Sequence, residues 1–109
     1  TQSVFTVNNV TIATYGNAVD FSDLIKVRRG ATATINNALA GTFGTATTSD
    51  FIDLEDLRGD STAATVINAT ANGTADGTDI KNSPGATVTV TGTNTGTDAS
   101  LFAWTGYMF

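Results

Sequence analysis

The chain contains no cysteine and no histidine, a single proline, a single tryptophan and only five cations. Each gap removes a class of chemistry. Without cysteine there is no disulfide framework, no thiolate zinc site and no cysteine nucleophile. Without histidine, the Ser-His-Asp triad and the usual general base of a cysteine hydrolase are both missing. Long apolar runs are lacking as well, so no segment is long enough to span a bilayer as a helix. With ten acids against five cations the net charge is -5, which repels phosphate and argues against nucleic acid as a partner. The opening Thr1-Gln2-Ser3 shows no basic stretch and no apolar run of a leader, so a mature secreted product and a trimmed cytosolic one are both consistent with it.

What is present is small and polar. Threonine supplies 22 of the 109 residues, alanine 15, glycine 11 and asparagine 9. Leu, Ile, Val, Phe, Met, Trp and Tyr together number 29, enough for a thin core and above the level of a disordered chain. One β-rich domain over residues 1–109 is expected from this length. A thin core with no covalent staple gains from association, so a homo-oligomer is expected too. Low lysine content and a Thr/Asn/Gly surface fit a virion surface or another extracellular setting.

Period-two patterning runs through the chain. Val4–Val7 and Val10–Tyr15 flank Asn8-Asn9, residues that tolerate left-handed backbone, which predicts a two-residue hairpin. Asp20–Val27 reads as a strand or a single capped helical turn, and Ala31–Asn36 alternates again. The one helix expected lies over 49–58: Ser49 or Asp50 caps it, acids crowd its first turns, Phe51, Leu54 and Leu57 recur every three residues, and Gly59 ends it. Asn82-Ser83-Pro84-Gly85 is a turn by its chemistry, and Thr87–Thr93 alternates with Val88 and Val90. No repeat of fixed period runs through the sequence. Many short strands separated by turns predict an all-β fold, an antiparallel β-sandwich or jelly roll carrying one short helix.

Nothing in the sequence assigns a catalytic residue, a cofactor or a metal. The carboxylates Asp50, Asp53, Glu55, Asp56 and Asp60 read as a solvated acidic face. Asn72, Asp76, Thr78 and Asp79 could offer oxygens to calcium, but equally belong in a plain loop. Arg58-Gly59-Asp60 spells a tripeptide read by integrins, which would need an exposed loop tip. Asn9, Asn68 and Asn72 each begin an Asn-x-Thr sequon.

Subunit contact has more candidates. Lys26, Arg28 and Arg29 form the only basic cluster, and Asp53 and Asp56 mark the acidic segment. Two complementary patches on one subunit would orient head-to-tail or ring contacts between copies. Near the C-terminus, Phe102, Trp104, Tyr107, Met108 and Phe109 put large apolar side chains on both faces of one expected strand, as either a central strand covered on both sides or a subunit interface would require. Together these predict a structural self-assembly or lattice-binding subunit, foremost a virion capsid decoration or cement protein. A secreted fibre or adhesin subunit is the alternative, and a carbohydrate-binding module comes third.

Overall fold

A computed structural model of the chain describes residues 2–13, 21–41, 48–71 and 80–91. They form eight strands: β1 Val4–Asn8, β2 Thr11–Ala13, β3 Phe21–Lys26, β4 Thr32–Gly41, β5 Thr48–Asp53, β6 Val66–Ala71, β7 Ile80–Lys81 and β8 Thr87–Thr91. The chain visits two sheets in alternation. One sheet has the order β1-β4-β6-β8, with β2 also on β4, and the other has β3-β5-β7. Every strand pair is parallel.

The register explains this arrangement. Val4 pairs with Thr32, Thr11 with Leu39 and Asp23 with Asp50, so each strand meets the segment one circuit of the chain later. Later circuits differ in length: Thr34 pairs with Val66, and Val66 with Thr87. This is a parallel β-solenoid, in which each coil stacks on the one before.

Two expectations are corrected here. The antiparallel sandwich or jelly roll is replaced by parallel sheets, because alternation specifies that a segment is a strand but not which strand it pairs with. The hairpin at Asn8-Asn9 is replaced by a bend. β1 and β2 both run alongside β4 in the same direction, so the chain turns a corner without reversing. Asn9 takes a left-handed backbone with φ 56°, and Asn37 repeats it one coil later with φ 58°. The two corners are locked together by amide pairs: Asn36 Nδ2 donates to Asn8 Oδ1 and Asn37 Nδ2 to Asn9 Oδ1, both at 2.9 Å. A left-handed residue is disfavoured for most side chains and least so for asparagine, which explains the residue type at both corners.

No helix occurs among the described residues, and the helix expected over 49–58 is strand β5 followed by a turn. Phe51, Ile52 and Leu54 are buried, whereas Leu57 is fully exposed at the tip of the turn, so the three-residue spacing had no common face. The acids that suggested a helix start find cationic partners on neighbouring coils instead.

Inward side chains stack in rungs from coil to coil. Val7, Ile35, Ile67 and Val88 share one register row, and Ala38, Ala69 and Val90 another. Across the other sheet, Ile25, Ile52 and Ile80 line up. Ile52, Leu54 and Ile67 are completely buried, and alanines 33, 38 and 40 keep the coil narrow. Each added coil buries the face of the last, which is how a chain with few large apolar residues builds one continuous core.

Candidate functional site

The charged side chains gather on the second sheet and the turn that follows it. Register puts Lys26, Asp53 and Lys81 in one row across β3, β5 and β7, and Asp23 beside Asp50 in another. The Lys26 ammonium donates to Asp53 Oδ2 and lies 3.9 Å from Asp23, while Lys81 Nζ lies 3.0 Å from Asp50. Asp50 and Asp53 are buried. Their cationic partners stay more open, the Lys26 side chain 30% and the Lys81 side chain 52% exposed, so solvent still screens the pairs.

The environments push the carboxyls apart. At Asp23, burial is the chief influence and raises the carboxyl above its ordinary value; the Asp53 and Asp50 charges add to it and Lys26 opposes. Burial also works against the charge of Asp53. The bond from Lys26, the Glu55 N–H on Oδ1 (2.9 Å) and the Lys26 and Lys81 charges together outweigh it, so Asp53 is held below the usual range. The bonds to Asp53 and Asp50 raise Lys26 and Lys81 respectively.

Beyond this row the chain makes a tight turn. Asp60 Oδ1 accepts the Asp56 N–H at 2.9 Å, Asp56 Oδ1 accepts the Arg58 N–H at 3.0 Å, and Gly59 adopts φ 125°. The turn is stitched to the preceding coil by Arg29 N–H to the Gly59 carbonyl (2.6 Å) and Gly30 N–H to the Asp60 carbonyl (2.8 Å). Arg28 Nη1 reaches Asp56 Oδ2 at 3.1 Å and Arg29 Nε reaches the same oxygen at 3.7 Å. The Arg58 N–H is the main influence holding Asp56 below its ordinary value; desolvation opposes it, and Arg28 and Arg29 reinforce it.

The structure thus brings together five of the expected contact residues: Lys26 with Asp53, and Arg28 and Arg29 with Asp56. They meet inside one molecule, so the basic and acidic patches are not at separate ends and their charges are committed to one another. Phe102, Trp104, Tyr107, Met108 and Phe109 lie outside the described residues, as does the loop 72–79. The Arg58-Gly59-Asp60 turn is exposed at Arg58 and Gly59, but Asp60 is half-buried and its carboxylate is engaged: its second oxygen accepts from Ser83 Oγ at 3.1 Å.

A hollow of about 450 Å³ lies between this row and the turn, lined by charged groups including Lys26, Asp53, Asp56 and Lys81. Neither Asp23 nor Asp50 lines it. An acid and a base with separated pKa values can carry proton transfer when both face a substrate. Here Asp53 already has both oxygens engaged, and Asp23 does not line the hollow. The Asp23, Asp50 and Asp53 oxygens come within 4.8 Å of one another, a spacing a hard cation could use, but Lys26 and Lys81 already supply positive charge to all three. The arrangement is chemically that of an ion-pair staple holding three coils in register.

Sequence reasoning missed the asparagine corners. Their signal was present: Thr6-Val7-Asn8-Asn9 and Thr34-Ile35-Asn36-Asn37 are near copies one coil apart. Compared with known proteins, the chain matches no family model, no curated protein and no solved structure.

Proposed function

We propose that the protein is a structural subunit that self-assembles through protein–protein contacts, with the first coil of one copy meeting a coil of a second copy, as in an extracellular fibre or adhesin. One observation carries this reading. β1 lies at the end of its sheet, with no described strand on its outer side, and its side chains are uncovered there. Val4 is 79% exposed. Phe5, which occupies the same row as fully buried Ala33, is still 40% exposed. Phe5, an inward position left open beside a strand edge with no partner among the described residues, invites a further strand, which would pair with the edge and cover it. Covering Phe5 is worth about 1.5–3 kcal/mol at most, and Val4 gains only lateral contact on the outer face, so several such contacts are needed for a stable joint.

The capsid-decoration expectation rests on the contact candidates and the thin core, not on strand direction, and the reading offered here does not place the protein on a virion. Solution mass by light scattering across a dilution series tests the proposal. Mass should rise with concentration, and Val4→Lys, which sets a charge on the strand edge, should hold the protein monomeric with its circular dichroism unchanged. A monomer at all concentrations, or assembly untouched by Val4→Lys, would overturn it.

A further inference from the structure

We infer that the outer surface of the first sheet carries a binding groove for an uncharged polysaccharide. This goes beyond the assembly reading and does not depend on it. The strands of that sheet, β1, β2, β4, β6 and β8, contain no charged residue at all. In contrast, β3, β5 and β7 carry Asp23, Lys26, Asp50, Asp53 and Lys81. The outward positions of the first sheet are mostly threonine and asparagine, and register sets them in rows: Thr6 beside Thr34, Asn8 beside Asn36, Asn68 beside Thr89, and Thr70 beside Thr91.

The surface is concave at the asparagine corner. Two hollows of about 380 and 300 Å³ adjoin there and share Asn37 and Thr70. One begins at Asn9 on the first coil and the other reaches Thr89 and Thr91 on β8, so the pair runs along the stack across successive coils. Both volumes lie at the low end of the range of small-molecule sites, roughly 300–1,000 Å³. Two such sites in line suit a chain of linked rings better than a single compact ligand.

The lining has the chemistry of such a chain. Val10 and Leu39 supply aliphatic surface, while Thr11, Thr70, Thr89 and Thr91 supply hydroxyls. A pyranose likewise presents C–H faces and a rim of hydroxyls. The corner amides add directional groups. Asn37 uses a donor and Asn9 an acceptor in their mutual bond, which leaves the Asn9 Nδ2 hydrogens and the Asn37 Oδ1 for a ligand among the described contacts. The absence of cations from these strands, in a chain of net charge -5, disfavours an acidic polysaccharide. A neutral chain with many hydroxyls meets every one of these features.

Native affinity electrophoresis tests the groove with purified protein in gels containing mixed-linkage β-glucan, xyloglucan or galactomannan, against polygalacturonate as the acidic comparison. At least one neutral polymer should retard the protein and polygalacturonate should not. Thr70→Arg, which fills the shared wall of the two hollows, should weaken retardation about tenfold or more. Thr91→Arg, at an exposed position of β8, serves as the second variant, and thermal melts confirm that each is folded. Val4→Lys should bind like the parent, which separates this groove from the assembly edge. Indifference to all the neutral polymers would overturn the inference. So would retardation that survives both arginine variants, or partition of the protein into growing ice in place of any polymer binding.

Discussion

Thr65 offers the sharpest test of how the coils are joined. Its side chain is completely buried, and its Oγ1 accepts the Ala33 N–H at 3.1 Å. The reason is positional. Strand pairing between β4 and β6 begins at Thr34 and Val66, so Ala33 sits one residue before the ladder starts and has no β6 carbonyl to use. Thr65 fills that place with a hydroxyl, while its own carbonyl accepts from Thr87 N–H at 3.0 Å on the next strand. Thr65→Val keeps the shape and replaces the hydroxyl by a methyl, stranding a buried amide. That omission costs about 1–3 kcal/mol. For a domain of this size each kcal/mol moves the melting temperature by about 4–8 °C, so a loss of roughly 5–20 °C is expected. Thr65→Ser keeps the acceptor and removes one methyl, at about 0.8 kcal/mol. Packing alone ranks the valine variant above the serine variant; the hydrogen bond ranks them the other way. Circular dichroism melts and urea midpoints of both variants decide between these, with unchanged urea slopes confirming that the same folded state is compared. A valine variant melting at or above the serine variant would refute the reasoning.

Further expectations concern the corner and the ion pairs. At Asn37, alanine and glycine both lose the bond to Asn9, but only alanine must bear the left-handed backbone, which costs about 1–2 kcal/mol; Asn37→Gly should therefore melt above Asn37→Ala, and equal melting would show that the backbone there relaxes. Asp23 has a raised folded pKa, so folding favours its protonated form and stability falls as pH climbs from its ordinary value of 3.8 through the raised one. Asp23→Asn removes that penalty, and should melt above the parent at neutral pH with the gain gone below the ordinary carboxyl value; a gain independent of pH would exclude titration as its cause. Asp53 has the opposite sign. Its stabilisation is present above the ordinary carboxyl value and is lost as pH falls through its depressed folded one, so Asp53→Asn should destabilise at neutral pH and converge with the parent in strong acid.

The strands themselves were legible because alternation is local. Thr87–Thr91 exposes its threonines and turns Val88 and Val90 toward the core, as its pattern says. Asn82 closes the Ser83-Pro84-Gly85 turn by bonding both the N–H and the carbonyl of Ala86, with Gly85 at φ 76°. Direction was not legible, since parallel and antiparallel strands share one pattern. The deciding clue lay in repetition, which the uneven coils conceal. Thr6–Asn9 recurs at Thr34–Asn37, and the third coil keeps Ile67-Asn68 but drops one residue, which appears as a register shift between Ile35 and Ala38. A search for one fixed period passes over a repeat whose spacing changes at each circuit.

The same geometry explains why the charge pattern misled. In a sandwich, a basic cluster at 26–29 and an acidic segment at 50–60 can sit at opposite ends and meet only between copies. In a solenoid, residues one circuit apart are neighbours by construction, and Lys26 faces Asp53 because register places them side by side. Opposite charges separated by one coil length are then an internal device: Lys26, Asp53 and Lys81 alternate in sign along one row, and the two lysines also offset the like-charged Asp23–Asp50 neighbours. With those charges engaged between coils, the proposed assembly and binding rest on surfaces that lack them. The charge-free Thr/Asn sheet and the open edge at Val4 and Phe5 are two such surfaces, and they differ in kind. The edge has no partner among the described strands and leaves Phe5 open to one, whereas the sheet face carries spaced hydroxyls and amides, the set a matching ligand would need.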